Sequence, residues 1–326
     1  MKIKNYHVSK KDLWQGRISD SDKEYFHEHV TLVDVENNTQ HFESGKAAAI
    51  IGFCCDAGVV RNQGRPGAME GPDAIRKILA KFAWQLNDIK IYDLGNVVCV
   101  DDNLEEAQAQ LAEVVNFAHE KELLPIVLGG GHETAWGHYQ GIRKAYPDTN
   151  LSILNFDAHF DMRALPESAK GSSGTPFLQI ANDCAARNLL FNYFVLGIQE
   201  NSNIKSLFKR ADELKVDFIK AEELLLNPIQ NYEAQIKTFI NGSDRLYLTF
   251  CLDVMSQAIA PGVSAPQANG LFMQQVLPLL KIILQQKKLL SFDIVELSPS
   301  LDQDNATARL AANLVYEVLK QWQAHV

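Results

Sequence analysis

The sequence predicts an α/β fold: a single three-layer domain in which a mostly parallel sheet lies between helices. Three observations predict it. Of the 326 residues, 46% are apolar and 22% charged, which are ordinary globular proportions. Short, near-continuous apolar runs recur, as a sheet buried on both faces requires. Those runs alternate with longer segments of helical spacing, the pattern of βαβ units. No Pro-, Ser- or Gly-rich linker divides the chain, so residues 1–326 are read as one domain.

The elements follow in chain order. Residues 1–45 carry a weaker pattern and are read as an N-terminal extension without an assigned element. AAAIIGF at 47–53 is the first strand-length run. NLEEAQAQLAEVVNFAHEKE at 103–122 has helical spacing and feeds LLPIVLGG at 123–130. LSILNF at 151–156 and NYFVLGI at 192–198 are the next strands. RLYLTFCLDV at 245–254 and LLSFDIVEL at 289–297 follow, and several of these runs are rich in Val, Ile, Phe and Tyr. TARLAANLVYEVLKQW at 307–322 reads as a closing helix.

Charge narrows the function classes. The net charge is −9 and the pI about 5.5, so there is no surplus of Lys and Arg to build a nucleic-acid-binding face. An anionic substrate would need a local Arg or Lys. No run of roughly 18 apolar residues occurs, so no membrane span is expected. The first residues, MKIKNYHVSKKDLWQGR, lack the apolar centre of a signal peptide, and a cytoplasmic location is expected. The five cysteines are odd in number and scattered, which suits free thiols in a reducing compartment.

Binding sites in parallel sheets lie beyond the C-terminal strand ends. Directly after LSILNF stands Asp157-Ala158-His159-Phe160-Asp161-Met162-Arg163. In an extended segment the side chains of Asp157, His159 and Asp161 project to one side. Carboxylates with an imidazole suit Mn²⁺, Zn²⁺ or Fe²⁺. Three further strand ends carry the same chemistry. Gly129-Gly130-Gly131 brings His132 to that edge, Asp253 follows RLYLTFCL, and Asp293 and Glu296 end LLSFDIVE. Acids in an otherwise apolar strand are costly to bury unless they are paired or belong to a site.

Together these residues resemble the ureohydrolase superfamily of arginases, agmatinases and formimidoylglutamases. The resemblance rests on GGGHE (129–133), DAHFD (157–161), SGTPF (173–177), LTFCLDVMSQAIAPG (248–262), SFDIVELSP (291–299) and GRPGAMEGPDAIR (64–76). It implies a single domain with an eight-stranded, mostly parallel sheet, assembly into a homo-oligomer, and hydrolysis assisted by Mn²⁺. Two ions are implied, with one possible. By position, His132, Asp157 and Asp161 would hold one ion, and Asp157, His159 and Asp253 the other. Asp161 and Glu296 become the catalytic candidates, with Glu296 receiving the amidine or guanidine group.

Several details resemble the formimidoylglutamase branch. GGGHE replaces the GGDH of arginases and agmatinases, and Ser173 stands where those carry a His. Arg163 stands where arginases have Asn, and a fixed guanidinium suits a carboxylate by bidentate pairing. The expected substrate is a small molecule bearing carboxylates, N-formimidoyl-L-glutamate. Arg163, Ser173, Glu296 and Arg65 are its candidate contacts, and Arg61 is a further candidate. An agmatinase-like amidino hydrolase and a non-catalytic relative are the alternatives.

One position departs from the family pattern. Cys251 stands where the resemblance implies a metal-bridging Asp. It could ligate as thiolate, favouring softer metals such as Zn²⁺. It could fail to ligate, leaving a weaker site or a single ion. It could pair with Cys55, from the loop after the first strand, as a disulfide.

Overall fold

In the computed structural model, which describes residues 2–20, 23–37, 41–42, 46–87 and 89–324, the apolar runs become the middle of one sheet. In chain order its strands are β1 (Tyr6–His7), β2 (Val30–Leu32), β3 (Ala47–Cys54), β4 (Lys90–Val98), β5 (Leu124–Leu128), β6 (Leu151–Phe156), β7 (Asn192–Ile198), β8 (Asp217–Lys220), β9 (Arg245–Cys251) and β10 (Leu289–Val295). They lie in the order β1-β4-β3-β5-β10-β9-β6-β7-β8, with β2 also against β4.

From β4 across to β8 the sheet is eight parallel strands, as expected. The full count is ten, because β1 pairs antiparallel and β2 parallel with β4. Both extra strands come from the first 45 residues, where the pattern was too short to mark an element.

Every residue of β3, β5 and β6 is buried, because helices cover both faces. Leu111, Val115, Ile142 and Ile180 pack against one face, and Ile75, Leu79, Ile283 and Val315 against the other. Two strands of the parallel set lack an apolar run. In β4 it is broken by Asp93, whose charge meets Arg76 at 2.9 Å inside the fold. β8 is a four-residue edge strand with a charged residue at each end.

Strands β5, β10, β9 and β6 are neighbours and run the same way. Their C-terminal ends open on one edge, which brings residues more than 160 positions apart in sequence into one site, as His132 and Glu296 show.

Candidate metal centre

The floor is built from β6 outward. After Phe156 the chain is a bent loop rather than a continued strand. Asp157, His159 and Asp161 still face together, for a different reason from simple strand alternation. The side chains of Ala158 and Phe160 are buried, and Asp161 adopts a left-handed φ of 48° that re-aims its carboxylate. Such conformations persist only where the surroundings impose them. Here Asn203 Oδ1 accepts from Phe160 N at 3.1 Å, and Asn203 Nδ2 donates to Ala158 O at 2.9 Å. Asn155 Nδ2 donates to Asp157 Oδ2 at 2.9 Å. Asn203 was not legible in the sequence, because it reaches the loop from the segment after β7.

The glycine loop after β5 passes against the turn after β3. A Cβ on Gly130 would meet the Cys55 carbonyl oxygen at 1.7 Å, so only glycine fits there. This close passage seats His132, whose backbone N–H donates to Glu296 Oε1 at 2.8 Å. His132 Nδ1 lies 2.9 Å from Asp157 Oδ2 and 3.0 Å from Asp161 Oδ2, yet neither oxygen satisfies it as a hydrogen-bonded atom. His159 Nδ1 lies 3.0 Å from Asp253 Oδ2.

Two groups of ligand atoms result. His132, Asp157 and Cys251 offer atoms within 4.8 Å of one another, and so do Asp157, His159 and Asp253. Asp157 belongs to both. Cys251 and Cys55 are free thiols, so the disulfide between them is not formed. The neighbouring Cys99 thiol and burial push the Cys55 thiol up.

Electrostatics identify what this floor is suited to hold. Burial opposes charge on His132 and His159, but the surrounding carboxylates outweigh it and hold both well above the usual imidazole range. Burial and the charge of Asp157 push Asp161 up to about 6. Burial, Glu133 and Asp253 raise Glu296 well above the carboxylate range. Burial and the charges of Asp157, Asp253, Glu296 and Asp161 raise the Cys251 thiol. Carboxylates this crowded need counter-charge. A divalent cation fits the oxygen and imidazole donors and the unsatisfied His132 Nδ1.

Above the floor is a cavity of about 350 Å³. His159, Asp161, Cys251, Asp253 and Glu296 line its base, while Arg163, Ser173 and Arg65 line its wall. The Arg163 guanidinium makes no hydrogen bond or ion pair with the described residues. Arg65 is committed elsewhere: its Nη2 donates to Val263 O at 2.7 Å and its Nε to Ser264 O at 3.1 Å. It clamps the loop after β9 to the cavity wall. Arg61 is paired with Glu105 at 2.7 Å and does not line the cavity.

Residues 46–320 match the model of the arginase family. The chain is 45% identical to a formimidoylglutamase of Legionella pneumophila (strain Paris), over 97% of this chain and 98% of that one. In structure it resembles the formimidoylglutamase of Bacillus subtilis subsp. subtilis str. 168, with TM-score 0.81, 21% identity and 94% of each chain covered. It also resembles the Trypanosoma cruzi formiminoglutamase with Mn²⁺, with TM-score 0.78, 23% identity, and 88% of this chain and 97% of that one covered.

Proposed function

The chain belongs to the arginase family, and we propose that it hydrolyses N-formimidoyl-L-glutamate to L-glutamate and formamide. It is a hydrolase of amidine C–N bonds. One observation carries the substrate reading: the cavity over the acidic floor holds a guanidinium, that of Arg163, with no partner among the described residues.

Two Mn²⁺ would be held by His132, Asp157 and Asp161 on one side and by Asp157, His159 and Asp253 on the other. When bound, such ions supply a water-derived nucleophile near neutral pH and stabilise developing charge. The protein's own groups do the rest. Glu296 faces the substrate's amidinium and orients its N–H donors, held in place by the bond from His132 N. Its left-handed φ of 71° aims the carboxylate into the cavity. Asp161, at the border of floor and cavity, takes the proton released by the attacking water and passes it to the leaving nitrogen, so the C–N bond breaks as the amine departs neutral. Arg163 pairs with a substrate carboxylate in bidentate fashion, which a chain of net charge −9 cannot do by bulk attraction. Ser173 adds a hydroxyl beside it, and Arg65 fixes the wall.

No helix among the described residues is long and apolar enough to cross a membrane. The free cysteines support a cytoplasmic setting, and the family resemblance supports a homo-oligomer, which light scattering would size.

The test is hydrolysis by metal-stripped protein after Mn²⁺ is restored under reducing conditions. Agmatine, arginine and guanidinobutyrate run beside N-formimidoyl-L-glutamate. Glutamate and formamide should appear only from the last. Turnover of agmatine at a comparable rate would overturn the role given to Arg163.

A further inference from the structure

On the side of His132 away from Asp157 and Asp161 lies a closed chain of polar side chains that the proposed reaction does not use. His132 Nε2 is 3.0 Å from Thr249 Oγ1, and Thr249 Oγ1 donates to Asp293 Oδ1 at 2.5 Å. Asp293 Oδ2 accepts from the Tyr247 hydroxyl and lies 2.7 Å from His138 Nδ1. The other His138 nitrogen meets the Ser291 hydroxyl. All five residues behind His132 are fully buried. Paired strands supply four of them: Thr249 sits opposite Asp293 and Tyr247 opposite Ser291, with β10 beside β9. His138 comes from the helix Thr134–Ala145 that follows the glycine loop.

The direction of each bond follows from donor counting. Three donors converge on the two oxygens of Asp293, which a carboxylate accommodates because it only accepts. The single Thr249 proton is therefore spent on Asp293. Toward His132, Thr249 can offer only a lone pair, so His132 Nε2 must carry the hydrogen. To ligate a metal the ring must be neutral, and a neutral imidazole has one donor and one acceptor nitrogen. Nδ1 is then the acceptor, and Nδ1 is the atom that faces Asp157 and Asp161 without a hydrogen-bond partner.

We propose that Thr249 and Asp293 are positioning residues that hold His132 in the tautomer presenting its Nδ1 lone pair to the metal floor. The proposal rests on the reading of that floor as a metal centre. Partners behind a ligating histidine fix ring orientation and tautomer, and their loss typically weakens metal binding 10- to 100-fold.

The experiment compares Mn²⁺ binding by the wild-type protein, Thr249→Val and Thr249→Ser, by competition with a chelating dye. Thermal melting of each metal-free protein runs beside it. Valine keeps the shape of threonine and removes the hydroxyl, whereas serine keeps the hydroxyl. Thr249→Val should weaken the tighter Mn²⁺ site about 10- to 100-fold. Thr249→Ser should restore most of that affinity, with metal-free melting unable to account for the difference. Wild-type affinity in Thr249→Val, or equal weakening in both variants, would overturn the role of the hydroxyl while leaving the metal centre standing. Absence of Mn²⁺ binding by the wild type would overturn the metal centre and this proposal with it.

Discussion

Cys251 is buried beside Asp157, Asp253, Asp161 and Glu296, all of which oppose a thiolate there. A hard oxygen at this position suits Mn²⁺ better than sulfur does, whereas sulfur suits Zn²⁺. Cys251→Asp should therefore lower the Mn²⁺ concentration needed for half occupancy and reduce any preference for Zn²⁺, as paired metal titrations would show. If Cys251→Ser left Zn²⁺ binding unchanged, the thiol would not be a ligand. Arg163 makes a separable prediction. Charge-assisted bonds contribute about 1.5–3 kcal/mol, so Arg163→Ala should raise KM for N-formimidoyl-L-glutamate by roughly 10- to 100-fold. kcat should change far less, because the contact is made in ground state and transition state alike. Initial-rate kinetics separate the two constants. The residues now gathered at the floor were legible because acids and histidines at strand ends have few structural uses. Asn203, Thr249 and His138 were not, since an asparagine in a turn, a threonine in a strand and a histidine in a helix are each ordinary until the fold brings them together.

At the scale of elements, β4 shows what periodicity misses. Its apolar run is interrupted by Asp93, which a two-sided buried strand admits only with a partner. Arg76, fully buried on the helix Gly71–Leu79, supplies it through Nε and Nη2, each 2.9 Å from a carboxylate oxygen. Trp14 Nε1 adds a third donor at 2.6 Å and ties the N-terminal segment to the sheet. Asp93→Ala would leave the buried guanidinium with only the longer contact to part-exposed Asp73, at 3.6 Å, as counter-charge. It should destabilise the protein by about 3–5 kcal/mol, the range for breaking one side of a buried pair. Urea unfolding of the metal-free variant checks this, and a loss near zero would mean that the pair does not secure the helix to β4. β8 was missed for a simpler reason: four residues at a sheet edge are too few to show a period. The six strands that were legible are those whose two-sided burial gives a near-continuous apolar run, broken within β10 by Asp293 and its three donors.

At the scale of the whole molecule, the sequence pattern carried the number of parallel strands only through family resemblance, and it carried nothing about their order. Pairings such as β5 with β10 join segments far apart in the chain, and no local window records them. Long-range packing also creates a pH response that no motif announces. His119 lies in the last turn of the helix Leu104–Glu120, buried, with Nε2 unpartnered among the described residues and its ring edge-on to Tyr146 at 5.2 Å. Burial, with a smaller contribution from His138, lowers its pKa to about 3. The folded state thus resists a proton that the unfolded chain accepts near 6.5. Stability from the neutral ring is complete above that value and is lost as pH falls from about 6.5 toward 3. By pH 5 the loss should reach about 2 kcal/mol, at 1.36 kcal/mol for each pH unit. Acids at the metal floor also titrate, so the comparison must isolate one group. Metal-free wild type and His119→Gln unfolded in urea at pH 7 and pH 5 do so. The wild type should lose about 2 kcal/mol more than the variant between the two pH values, and equal losses would mean that His119 gains a proton without leaving the folded state.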